Sequence, residues 1–232
     1  MTYGKTIFAI AAALAMAISA GSANAARTDI TVGLQLEPPH LDPTGAAAGA
    51  IDQVVYANIF EGLTRFASDG SIVPGLAKSW EISEDGLSYT FTLNSGVKFH
   101  DGTAMDAEDV KFSLDRARAE DSTNAQKALF ADIANVDVID PLTVQVTLSQ
   151  QNGSFLFNLA WGDAVIVAPE SIDNIKTKPV GTGPFVLSNW VQGDRIELVK
   201  NPDYWGKPIS LDKATFKFIS DPTAAFAAVM AE

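Results

Sequence analysis

The side chains best suited to chemistry are sparse and poorly grouped. The chain has 2 His and 0 Cys in 232 residues. A zinc or other transition-metal site needs imidazole, thiolate or carboxylate ligands clustered at short spacing. His40 lies in the proline-rich run Glu37-Pro38-Pro39-His40-Leu41-Asp42-Pro43, and His100 lies in a turn beside Asp101. Neither has partners at ligand spacing, so no metal and no cofactor is expected. The lack of Cys excludes disulfide staples, thiolate metal sites and a lipid anchor on an N-terminal Cys.

Catalytic patterns are equally thin. Ser, His and Asp occur in no G-x-S-x-G setting. Glu84-Asp85 sits in a turn, where the two acids are solvated rather than set across a sugar. Val180–Phe185, VGTGPF, is glycine-rich, but no Lys-Ser or Lys-Thr follows and a strand comes next, so it is no phosphate cradle. Glycines there permit positive φ and close backbone approach, which suits a hinge or crossover. Tyr204 and Trp205 read as packing aromatics, with ligand stacking as the alternative. The chain is not expected to be an enzyme.

Mixed elements must position whatever site exists. Asp29–Leu36 alternates as a strand and ends at Pro38-Pro39, since proline has no N–H for a ladder. Ile51–Phe60 carries a helical stripe, with Gly62 placed to stop it. Ser88–Leu93 is a strand between turns. Asp106 caps a helix through Val110, Phe112, Leu114 and Ala117. Val136–Ile139 and Thr143–Leu148 form a hairpin around Asp140-Pro141, and Ser154–Trp161 is a short apolar helix or turn. Ala164–Val167, Phe185–Trp190, Arg195–Val199 and Ala214–Ile219 are further strands, and Asp221-Pro222 opens a last helix striped by Phe226, Val229 and Met230. Strand clusters and helices without a strict βαβ rhythm predict a mixed α/β or α+β fold.

The first 25 residues stand apart. Lys5 precedes the apolar run Ile7–Ile18, and Ala23-Asn24-Ala25 is a small-x-small site, so a secretory signal peptide with a mature start at Ala26 is expected. The run is too short for a membrane span. The formal charge is −12, and losing Lys5, the only charged side chain before Ala26, makes it −13. Such acidity serves solubility and argues against nucleic acid as a partner.

Several motifs in order carry a family resemblance: Asn58–Phe66 (NIFEGLTRF), Asp69–Thr103, Asp106–Ala117 (DAEDVKFSLDRA), Val180–Phe185 and Asn201–Gly206 (NPDYWG). Together they resemble the N-terminal half of a family 5 extracytoplasmic solute-binding protein, the peptide, opine and nickel type of ABC-importer receptor. The resemblance implies a periplasmic-binding-protein-like lobe. Residues 26–62 and 176–232 would form an incomplete lobe I, 63–175 a β-rich insert, and a second lobe would be absent. It also implies periplasmic location, capture of a peptide-like or other small solute, delivery to permease subunits in the inner membrane, and a monomer when full length. A fragment without binding activity, and a secreted hydrolase or sensory domain on the same scaffold, remain the alternatives.

In the resembled family the loop after the first strand lies at the cleft between lobes, and ligands bind in crevices beyond strand ends. The expected cleft residues are Leu36, Glu37, Pro38, His40, Gly45, Ala47, Gly49, Trp161, Gly162 and Asp163. Glycine and alanine over 45–49 suit close approach of a ligand to backbone, the competing reading being an ordinary flexible loop.

Overall fold

The computed structural model describes residues 27–46 and 48–230. The expected signal peptide, the cleft candidate Ala47 and the Val229 side chain lie outside what is described. The chain begins with β1 (Asp29–Leu34), α1 (Gly49–Val55), β2 (Thr64–Phe66), β3 (Ile72–Pro74), β4 (Ala77–Ile82) and β5 (Ser88–Leu93). It continues with α2 (Ala107–Arg118), β6 (Ile133–Asp140), β7 (Thr143–Leu148) and the single turn α3 (Phe155–Asn158). It closes with β8 (Phe185–Val191), β9 (Arg195–Lys200), β10 (Lys213–Phe218) and α4 (Pro222–Met230).

Two four-stranded sheets organise this mixed α/β fold. One has the order β1-β10-β9-β8, with β1 parallel to β10 and the rest antiparallel. The other has the order β4-β5-β7-β6 and is antiparallel throughout. β2 and β3 form a separate hairpin. Strict alternation explains the central strands of the second sheet. Tyr89, Phe91 and Leu93 of β5, and Val144, Val146 and Leu148 of β7, are buried, while their neighbours are half-buried.

α2 is fixed at its start by a capping box. Glu108 N donates to Asp106 Oδ1 at 2.9 Å, and Asp106 N donates to Asp109 Oδ2 at 2.9 Å. Its stripe splits between two cores. Val110, Leu114 and Ala117 join the core of the second sheet, while Phe112 packs on the core beneath β1, α1 and β8–β10. Asp221 caps α4 as expected, with Ala224 N donating to Asp221 Oδ1 at 2.7 Å.

Two elements differ from expectation. The stripe over Ile51–Phe60 is not one helix. α1 stops at Val55, Tyr56 is extended, and Ala57 takes φ 56°. Asn58 Nδ2 holds the Val54 carbonyl at 3.0 Å, and Ile59 and Phe60 turn into the core from this reversal. Nothing in the type of Ala57 announces a left-handed residue.

Residues 164–167 are also not a ladder strand. Gly162–Ala164 is a 3-10 turn, and the chain beyond it makes only a single bridge, Val165 to Gly62. This strap runs between the two cores. Ala164, Ile166 and Ala168 enter one, and Val165 and Val167 enter the other. Its N–H groups are satisfied individually, Ile166 N by the Glu61 carbonyl at 2.9 Å and Val167 N by Ser113 Oγ at 3.0 Å.

Candidate functional site

The loop after β1 divides into two parts. Leu36 is exposed. Glu37 turns toward the β8–β9 connection, accepting from Trp190 Nε1 at 2.9 Å and from Gly193 N at 3.0 Å. Pro38 and Pro39 line a shallow groove with Trp190 and Gln192. The second part is tied to α2. His40 Nδ1 accepts from Asp42 N at 3.2 Å, and burial lowers the imidazole pKa, so the ring is neutral at pH 7. Asp42 is 2% exposed and accepts from Thr44 N at 2.9 Å and Thr44 Oγ1 at 2.6 Å. Arg116, near the end of α2, lies 3.5 Å from Asp42 and donates to the Thr44 hydroxyl. Gly45 follows this knot, its N–H on the Asp42 carbonyl at 3.4 Å, and Gly49 opens α1 with space beside it.

The segment after α2 bridges this knot to the second candidate region. Ala119, Asp121, Ser122 and Thr123 line, with Thr44 and Arg116, a cavity of about 190 Å³. Asn124 is buried and donates Nδ2 to the Asp163 carbonyl at 3.0 Å.

The second region is the turn Trp161-Gly162-Asp163. Trp161 is 41% exposed and packs edge-on against Phe66 and Phe157, at centroid distances of 6.3 and 6.1 Å. Gly162 lies against α1: a Cβ there would stand 2.6 Å from Asp52 Oδ1. Asp163 is 6% exposed. Burial, and then the nearby Asp52 carboxylate, push Asp163 up to about 6, and burial also raises Asp52. Tyr56, one turn after Asp52, donates its hydroxyl to the Ala160 carbonyl at 2.5 Å and so pins α1 to this turn.

The structure thus brings Thr44 and the Asp42–Arg116 pair, residues 119–124 and Trp161–Asp163 into one neighbourhood, and turns Glu37 and Pro38 toward β8–β9. Sequence reasoning missed Asp52, Arg116, Ser122 and Asn124. Asp52 had one signal, an acid set among the apolar residues of a short helix.

A second polar centre was also missed. Glu61 accepts from Thr182 Oγ1 at 2.9 Å, Tyr204 hydroxyl at 2.9 Å and Trp205 Nε1 at 2.8 Å. Burial raises its pKa and the three donors oppose the rise, while burial and the Glu61 charge raise the Tyr204 phenol. Tyr204 and Trp205 are therefore engaged internally. Gly181 and Gly183 carry the backbone past residues 58–60, where a Cβ at either position would overlap the Ile59 or Asn58 carbonyl. His100 stitches the same loop, with Nε2 on the Gly183 carbonyl at 3.0 Å and Nδ1 facing Gly181 N at 3.4 Å. Burial lowers its pKa, so the ring is neutral at pH 7 with the proton on Nε2. Among the described residues no group of three His, Asp or Glu is arranged to hold a metal, and no helix is long and apolar enough to cross a membrane.

The sequence profile of bacterial extracellular solute-binding proteins, family 5 Middle, matches residues 71–232. The glutathione-binding protein GsiB of Salmonella paratyphi A is 36% identical over 213 residues, which cover 90% of this chain and 41% of that protein. NikZ from Campylobacter jejuni, solved with Ni(L-His), matches with a TM-score of 0.81 and 29% identity over 88% of this chain and 42% of that one. DppA from Helicobacter pylori, an ABC transporter-associated periplasmic binding protein solved with the peptide STSA, matches with a TM-score of 0.81 and 29% identity over 88% and 46%. The chain spans less than half the length of these relatives. It belongs to family 5 of the bacterial extracellular solute-binding proteins.

Proposed function

We propose that this family 5 chain supplies one wall of a solute-binding cleft in a periplasmic receptor that feeds ABC-importer permease subunits. One observation carries the reading. Three loops far apart in sequence, at Asp42–Thr44, 119–124 and Trp161–Asp163, converge, and they bring charged and hydroxyl side chains with an exposed Trp. Binding sites combine apolar walls with a few placed polar groups in this way. Glutathione, a tetrapeptide and nickel-bound histidine, the ligands named for the relatives, favour a small peptide or amino-acid derivative as the solute. Closure of two lobes about a hinge would complete the enclosure. One wall alone leaves much of a solute in water, so affinity from these residues is weak.

The test is amide-resolved NMR of the 232-residue chain titrated with alanylphenylalanine. Millimolar binding should shift the amides of Thr44, 119–124 and 161–163. Shifts confined to the β6–β7 hairpin, or none at millimolar peptide, would overturn the assignment of this face.

A further inference from the structure

We infer that His100 is an acid-released latch between the two sheets, holding the Gly181–Gly183 crossover only while its ring is neutral. The two ring nitrogens meet backbone groups of opposite polarity. Nε2 faces the Gly183 carbonyl at 3.0 Å and so carries the proton, and Nδ1 accepts from Gly181 N at 3.4 Å. The backbone of the same residue is engaged too, His100 N donating to the Gly181 carbonyl at 2.9 Å. Only one form of the imidazole fits these contacts. The imidazolium has a donor at both nitrogens, so its Nδ1–H would point at the Gly181 N–H. The position joins the two halves of the fold. Phe99, just before the latch, lies in the core of the second sheet, and Phe185, just after the crossover, lies in the core of the first.

The acids around the ring are committed elsewhere. Asp101 follows on the same turn and its charge favours protonation, but its Oδ1 is taken by the N–H and hydroxyl of Thr103, at 3.0 and 2.6 Å. At the start of α2, Asp106 and Asp109 are closed into their capping box. From the crossover the ring meets backbone and the neutral Asn201 amide, whose Nδ2 shares the Gly183 carbonyl at 3.0 Å. Glu61 stands behind the loop and binds Thr182 Oγ1 rather than the ring. Burial outweighs the pull of Asp101, so the ring of the closed latch takes up a proton only below the ordinary value of 6.5. An open loop would protonate more readily. The latch is therefore fully held above pH 6.5 and weakens as pH falls below it. Release stays local, because Thr182 remains tied to Glu61 and Gly183 N to the Ile59 carbonyl.

The test needs a local readout, because Asp109 and Asp163 titrate in the same range and pull global stability the opposite way. NMR of the 232-residue chain from pH 8 to 4 follows the His100 ring nitrogens and the amides of residues 181–183, with exchange protection measured against the amides of β5. At pH 8 the ring should be the Nε2–H tautomer. Below pH 6.5 the Gly181 and Gly183 amides should shift with the midpoint of the ring itself. Their protection should fall by up to about tenfold per pH unit relative to β5. Constant relative protection, or loop shifts whose midpoint is not that of the ring, would overturn the latch. His100→Gln keeps one acceptor and one donor but does not titrate, so it should remove the pH response whatever it does to stability. An unchanged response in that variant would assign the effect to Glu61 and overturn the proposal. The wild-type comparison of ring and loop midpoints decides the matter even if the variant does not fold.

Discussion

Glu61 and Asp163 are both carboxylates enclosed by protein, and their surroundings are opposite. Glu61 receives three hydrogen bonds, from Thr182, Tyr204 and Trp205, that reach across 121 to 144 residues of chain. Asp163 receives one only from its own backbone N–H and none from another described residue, and the charge of Asp52 is nearby. Burial raises the pKa of both; three side-chain donors oppose the rise at Glu61, and at Asp163 only its own backbone N–H does. A saturated carboxylate is a fastener: it ties the chain near the end of α1 to the glycine loop and the Asn201–Gly206 turn. Asp163 has no such ties to distant chain, so its burial and the nearby Asp52 charge are offset only by its own backbone N–H.

The comparison breaks most visibly at Glu61. Glu61→Ala strands three donors in a half-buried setting and should cost about 3–5 kcal/mol, since each unsatisfied buried group costs roughly 1–3 kcal/mol and water can recover part. Urea unfolding measures it, and a loss under about 1 kcal/mol would show that the three bonds are not a fastener. Next comes Gly183→Ala. A methyl group there meets the Asn58 backbone rather than a flexible side chain, and overpacking of this kind typically costs about 1–3 kcal/mol. Loss of the same size from Gly193→Ala would be unremarkable for a different reason, because Gly193 has φ 77° and open space around it.

Asp163→Asn gives the smallest effect and the opposite sign. The folded-state pKa of Asp163 is about 6, above its ordinary value of 3.8. Between these values the native state holds a proton that the unfolded chain releases, so stability falls as pH rises from 4 to 7. Removing the charge should therefore stabilise the chain by about 1 kcal/mol at pH 7.5 and change little at pH 4.5. Asp109, also pushed up to about 6 by burial, adds a slope of the same sign that the variant retains. Glu197, held down to about 2 by its bonds from Lys213 and Asn189, acts in reverse and loses its contribution only as pH falls below about 4.5. Thermal melts of both chains from pH 4.5 to 7.5 check the sign. A variant less stable than wild type at pH 7.5 would mean that the bond from its own N–H outweighs the burial and Asp52 effects at Asp163.

Much of the scaffold was legible because local rules and tertiary packing agree there. The alternation of SYTFTL and TVQVTL matches one buried face each, and Asp106 precedes acids that prefer the start of a helix. Reading failed where position in the fold overrides residue type. Ala57 bends the chain with a residue suited to helix, so the end of α1 was misplaced. At the candidate site, Trp161–Asp163 were singled out from resemblance and loop position, but Asp52 was hidden inside a helix read only for its apolar stripe. Glu61 was invisible for a different reason. Its meaning lies entirely in donors more than a hundred residues away, and no local pattern encodes that pairing.

The strap at 164–168 has a consequence for how the molecule comes apart. Its side chains are shared alternately between the two cores, and its N–H groups are held by the chain after α1 on one side and by α2 on the other. Neither sheet can melt while the strap stays in place, and the strap cannot leave without opening both. The two sheets should behave as a single cooperative foldon, with amide exchange in β5 and in β9 governed by one global opening rather than two.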